Sequence, residues 1–144
     1  NVKLYPFTIK KGANIYGIIF GASHPLAVDK FLSVAWKKNS INGEANFDID
    51  DDMSKSQLLL FGDKKLTKKE AFASLLKNKI QNRELKTNED VYLFTLDHGH
   101  IPSHASDVLR EMKKEGLVTY ETTSPLVNYE QIFHKQHIVE YKVR

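Results

Sequence analysis

Apolar positions recur at helical spacing in three stretches of the second half of the chain, and each stretch opens on a helix-start pattern. Thr67 with Glu70 has the capping-box spacing, in which each side chain answers the other residue's amide, and Phe72, Leu75, Leu76 and Ile80 mark the buried face that follows. Thr87 with Asp90 repeats the pattern ahead of Val91 to Leu96, and Gly99 supplies the left-handed residue that ends a helix. Pro102 and Ser103 open a third helix, with Ala105, Val108, Leu109 and Met112 at i, i+3, i+4 and i+7 and Gly116 as its stop. Leu117 to Tyr120 then turns strand-like, a polar stretch runs from Glu121 to Glu130, and Ile138 to Val143 alternates with Val139, Tyr141 and Val143 on one face. Helix, helix, helix, strand, loop, strand is the order of a winged helix-turn-helix, with Gly99 and Pro102 in the turn between its second and third helices.

The first part reads differently. Residues 17–22 (GIIFGA) form a short apolar run expected to be a buried strand, and the strand-like residues before them have no obvious partner nearby. Ser23 and Pro25 predict a helix start, with serine capping the orphan amides and proline in the first turn. That helix should reach Lys38, with Ala27, Phe31, Val34 and Ala35 at helical spacing and Val28, Leu32 and Trp36 widening the apolar face. Asn42 and Gly43 turn the chain, Phe47 and Ile49 alternate with acids as a strand edge would, and Gln57 to Phe61 is a further apolar run. The expected class is α+β, with a strand-helix α/β subdomain over 1–62 ahead of a winged helix over 63–144. A start on Asn1 and an unpartnered strand suggest an excised piece, with 1–62 as the edge of a larger domain.

Composition supports a folded chain, since 41% of residues are apolar and 27% charged. No apolar run approaches the roughly 20 residues that cross a bilayer, and no secretory leader is recognisable, so the default expectation is a soluble cytoplasmic protein. Absence of cysteine excludes disulfides, thiolate catalysis and cysteine-ligated zinc within the chain. The net charge of +3 is unevenly spread. Between positions 64 and 86, eight lysines and arginines face only Glu70 and Glu84, and Glu44, Asp48, Asp50, Asp51 and Asp52 form an acidic stretch upstream.

Three of these stretches together carry a family resemblance: GIIFGASHPLAVDKFLSVAWK with Ser23-His24-Pro25-Leu26 opening its helix, the Gln57-Leu58-Leu59-Leu60-Phe61 run, and the closing helix-turn-helix with its wing. They resemble the C-terminal half of the three-Cys-motif partner proteins. The resemblance implies a winged-helix ending to a larger bacterial protein with a Rossmann-like N-terminal domain, and a partner related to radical-SAM enzymes. The family's Asp-Gly-Phe-Ala-Gly type of glycine-rich loop is absent here, so no enzymatic role carries over.

Candidate chemistry is thin. Asp97, His98, His100 and His104 are metal-ligand types clustered at the turn between the second and third helices, but spacing alone does not make them converge, and solvated turn histidines are the simpler reading. His24 suits a side chain bonded to nearby backbone, and Ser23, His24 and Asp29 lack the nucleophile elbow of a hydrolase. No dinucleotide, triphosphate or zincin motif occurs. Trp36, Phe31 and Phe72 are expected in the core. No catalytic or metal-ligating residue is therefore assigned, and no cofactor is expected.

In a winged helix the third helix commonly enters the major groove, which makes Ser103, His104, Ser106, Asp107, Arg110, Lys113 and Lys114 the candidate nucleic-acid contacts, with Lys68 and Lys69 as phosphate contacts ahead of them. One feature weighs against this. From Ile101 to Arg144 six positive residues are matched by six negative ones, so a strong non-specific phosphate attraction cannot arise from that half. The leading expectation is a non-catalytic nucleic-acid-binding module, duplex DNA first. The rival is a protein-docking module, and a metal-dependent enzyme centred on His98, His100 and His104 stands third.

Overall fold

Strand β1 (Lys3–Lys11) and strand β2 (Asn14–Ala22) pair antiparallel along their whole length, from Lys3 opposite Ala22 to Lys11 opposite Asn14. The computed structural model describes residues 2–47 and 66–144. The turn is Gly12-Ala13 with Gly12 at φ 62, the glycine-first arrangement that matches the twist of a tight hairpin. The early strand thus has a partner, contrary to expectation, and β2 is not buried. Tyr5 and Phe7 are buried, while Ile15 and Ile19 are 61% and 73% exposed. Paired residues share a face, and the face of Leu4, Pro6, Ile15 and Ile19 stays exposed.

Helix α1 (Pro25–Lys38) is capped by His24 rather than Ser23, with Pro25 in its first turn and no side-chain cap bond. Its buried residues are Val28, Leu32, Ala35 and Trp36. The stripe is therefore rotated from the expected one, and Ala27 and Val34 face outward because Leu32 and Trp36, the bulkier pair, take the buried side. Phe31 is half-buried and stacks on Phe20 at 4.3 Å. Gly43, at φ 67, lies against the Trp36 indole so closely that an added Cβ would fall 2.5 Å from the ring. Residues 44–46 then run beside β1. Thr8 N–H donates to Glu44 O, Asn46 N–H donates to Thr8 O, and the Asn46 side chain brackets Lys10 through both its amide atoms.

Contacts divide the chain into two compact units, Asn1–Ala71 and Phe72–Arg144. The boundary expected at 62/63, the Ile49 alternation, the acidic positions 48–52 and the Gln57–Phe61 run lie outside the described residues.

The second half follows its local start patterns closely. Helix α2 (Lys68–Gln81) begins on the Thr67–Glu70 capping box, with Thr67 N–H donating to Glu70 Oε2 at 2.9 Å, and buries Phe72, Leu76 and Ile80, while Leu75 stays exposed. Helix α3 (Asn88–Asp97) begins on the Thr87–Asp90 box and ends through Gly99 at φ 70. Helix α4 (Pro102–Lys114) buries Ala105, Val108, Leu109 and Met112, the stripe its spacing predicts, and packs on α3. Strand β3 (Val118–Thr119) pairs antiparallel with β4 (Lys142–Val143), and the chain between them holds a single π-helical turn, Glu130–His134. Val139 and Tyr141 are buried as the alternation predicts, and Thr87 forms an antiparallel bridge to Glu140. The whole is α+β, a winged helix-turn-helix preceded by a strand-helix segment.

Candidate nucleic-acid interface

Helix α4 owes its position to the turn before it. Gly99 and His100 N–H groups close α3 on Leu96 and Thr95 carbonyls, and Pro102 starts α4 two residues later. His100 is 2% exposed and stacks on Phe72 with ring centroids 4.1 Å apart. Its Nδ1 lies 3.0 Å from His104 Nδ1, so one nitrogen of the pair carries the proton and the other accepts it. The expectation of solvated turn histidines holds for exposed His98, whose Nδ1 lies 2.8 Å from Phe94 O, and fails for His100, which the Phe72 face takes into the core. Among the described residues no three metal-ligating side chains converge.

With its apolar stripe buried, α4 turns outward Ser103, Asp107, Arg110, Lys113 and Lys114, while His104 and Ser106 are half-buried. Several of these charges already have partners. Arg110 donates to Asp107 Oδ1 at 2.9 Å, one turn back on the same helix. Lys77 of α2 lies 3.1 Å from Glu111 and 3.6 Å from Glu115, and its pKa is raised chiefly by the hydrogen bond to Glu111. Lys113 turns away from the helix face toward the wing. Its ammonium donates to Tyr120 O and Thr122 O, each at 3.1 Å, and sits 3.9 Å from the centre of the Tyr120 ring. Ser103, Asp107, Arg110 and Lys114 thus remain as an outward-facing set, with Lys113 directed to the base of the wing.

Lys68 and Lys69 belong to the first unit. Lys68 is ion-paired with Glu44, donates to Asn42 O at 3.0 Å, and lies over the Trp36 ring at 5.5 Å. Lys69 is exposed and lies over the same ring at 5.2 Å. Trp36 is thereby a packed core ring with two ammonium groups at its margin.

The wing is anchored by a residue that sequence reasoning missed. Asn88 is wholly buried, its Nδ2 donating to Leu126 O at 3.1 Å and His137 O at 2.9 Å while its Oδ1 accepts from Val139 N–H at 2.9 Å. All three partners lie 38 to 51 residues away, so no local pattern announces them. Tyr141 adds a hydrogen bond from its hydroxyl to Pro125 O and packs edge-on against Tyr120 at 5.6 Å. Burial pushes both phenols above their ordinary pKa.

Three helices, two begun on capping boxes and the third on a proline, a short turn ahead of the outward-facing α4, and a two-stranded sheet flanking a pinned loop define a winged helix-turn-helix binding module. The particular family follows from comparison: the chain belongs to the GMT-like wHTH domain family, whose model matches residues 47–125, more than half of the chain. The matched span begins within the first unit and runs through α4 and β3 into the wing. Among curated proteins and among solved structures, nothing matches the chain. No helix among the described residues is long and apolar enough to cross a membrane.

Proposed function

We propose that the chain is the non-catalytic nucleic-acid-binding module of a larger bacterial protein of the three-Cys-motif partner kind, with α4 laid against duplex DNA. The observation that carries this is the geometry of α4, whose apolar side is committed to the core while Ser103, Asp107, Arg110 and Lys114 are turned to solvent and Ser106 is half-buried. Arg110 is the principal contact, because its forked donors match guanine or phosphate oxygens. Its present partner does not prevent this. Arg110 and Asp107 are 57% and 71% exposed, and a solvent-screened pair of that kind contributes about 0.2–1 kcal/mol, which a phosphate offsets readily.

A second reading is favoured by one observation, the engagement of Arg110 by Asp107 and of Lys113 by the wing, which leaves Lys114 as the α4 cation held by neither an ion pair nor a hydrogen bond among the described residues. It makes the same surface a docking face for a protein, for which the resemblance implies a relative of radical-SAM enzymes. Duplex binding across a salt series separates the two. Binding that weakens steeply with salt, and that Arg110→Ala weakens by about 1–3 kcal/mol, supports the nucleic-acid reading. A chain that binds no duplex even at low salt leaves protein docking as the account.

A further inference from the structure

Cations whose charge is already matched by a carboxylate hold a phosphate poorly, so the decisive question for an anion is where the second unit keeps its unmatched ones. Among the described residues the ion pairs engage Lys68, Lys77, Lys79, Arg110 and His134. Lys113, Lys114, Lys135 and Arg144 of the second unit are in none of them, and neither are Arg83, Lys86 and Lys142, which are all exposed.

The fold brings these three together. Residues 86–88 join α2 to α3 and run antiparallel to residues 139–141, through Tyr141 N–H to Lys86 O at 2.7 Å, Asn88 N–H to Val139 O at 3.0 Å and the Thr87–Glu140 bridge. Beside this pairing lies a half-open cleft of about 290 Å³ lined by Arg83, Lys86, Glu140, Tyr141, Lys142 and Val143. Three positive side chains there face one carboxylate. Of the acids nearest in sequence, Glu84 is paired with Lys79, whose hydrogen bond holds its carboxyl below the usual range, and Asp90 accepts the Lys86 and Thr87 amides, while Glu89 stands in the first turn of α3.

Arg83 also has φ 58, in the left-handed region where α2 ends. Glycine or asparagine closes a helix there without strain, yet the chain places an arginine, and a strained residue beside a cleft points to a role for its side chain.

We infer that the cleft bounded by Arg83, Lys86 and Lys142 is a phosphate-binding site that engages the backbone of a nucleic acid, apart from the surface of α4. The inference rests on the nucleic-acid reading above. The Tyr141 amide is taken by Lys86 O, the Lys86 amide by Asp90 and the Arg83 amide by Ile80 O, so recognition falls chiefly to side-chain charge, which makes the contact indifferent to base sequence and strongly dependent on salt.

The test compares three forms of the chain on a mixed-sequence duplex across a salt series: the parent, Arg83→Asn/Lys86→Gln/Lys142→Gln, and the control Lys135→Gln. Asparagine is chosen at 83 because it tolerates the left-handed backbone, and matching thermal unfolding verifies the fold. Each phosphate contact removed should lower the slope of log affinity against log salt by about 0.9, so the triple variant should lose about 2 to 3 from the slope and at least tenfold in affinity at low salt, while the control keeps the parent's slope. A parent that binds duplex and a triple variant with an unchanged slope overturn this inference and leave the α4 reading intact. A parent that binds no duplex overturns both, even if inorganic pyrophosphate perturbs the Lys86 and Lys142 amides, because the ligand is then a small phosphate and not a nucleic-acid backbone.

Discussion

Replacing Asn88 by alanine removes three hydrogen bonds at a side chain with no exposed surface. The Val139 amide suffers most. Val139 is 5% exposed, so its N–H is left without its acceptor in a site water barely reaches, a cost of about 1–3 kcal/mol. The carbonyls of half-buried Leu126 and exposed His137 have readier access to water, and their loss adds about 0.5–1.5 kcal/mol each. The expected destabilisation is therefore about 2–6 kcal/mol, a fall in Tm on the order of 10 °C. Asn88→Asp is the sharper perturbation. It keeps an acceptor for Val139 and adds a negative charge in the first turn of α3, where the helix dipole favours it. It also turns both donors into acceptors facing the Leu126 and His137 carbonyls. If Asn88 acts as a clamp between α3 and the wing, the aspartate variant loses as much stability as the alanine one, and amide exchange at Val139 rises in the alanine variant. Urea unfolding that finds Asn88→Asp as stable as the parent, with Asn88→Ala within about 0.5 kcal/mol of it, would refute the clamp.

Other expectations can be checked by the same kind of measurement. Leu109→Ala and Met112→Ala, at positions with no exposed surface on the buried stripe of α4, should each cost about 2–5 kcal/mol, and unchanged thermal stability in both would refute the packing of that stripe. Gly43→Ala meets the indole of Trp36 and a left-handed backbone together, for an expected loss of about 2–5 kcal/mol. Because the chain has a single tryptophan, its emission should shift as well, and an unaltered spectrum would contradict the contact. At alkaline pH the raised pKa values of Tyr120 and Tyr141 mean that the folded chain keeps protons the unfolded chain gives up near pH 10. Their contribution to stability is full below that pH and is lost as pH rises beyond it, so phenolate absorbance from these two residues should appear together with unfolding, and its appearance in a still-folded chain would count against their burial.

The parts of the fold that could be read from the sequence are those specified by neighbours a few residues apart. Thr67 with Glu70, Thr87 with Asp90, Pro102 and Gly99 act within one turn of helix, and the structure puts helix ends where these residues stand. The hairpin was harder to see because Gly12-Ala13 is a weak turn signature and because β2 is apolar on both faces, with Ile15 and Ile19 on one and Tyr16 and Ile18 on the other. An apolar run without alternation reads as buried, and here it is largely exposed. The rotated stripe of α1 has a similar cause, since eight apolar residues on one helix leave the choice of buried side to what packs against it. Within the candidate interface the outward side of α4 was legible from periodicity. The roles of Asn88, His100 and Lys113 were not, because each is set by a contact between chain segments that no spacing rule connects.

Lys113 gives the second unit a mechanical linkage. Its ammonium spends two of its three N–H groups on carbonyls at the root of the wing and rests on the Tyr120 ring, while its own backbone is part of the last turn of α4. The end of the helix and the first residues of the loop are thereby geared together: a rotation of α4 about its axis drags the root of the wing with it, and a load on the wing is felt as torque on the helix. A ligand that offered the ammonium a stronger acceptor would therefore act on the end of the helix and the root of the wing at once.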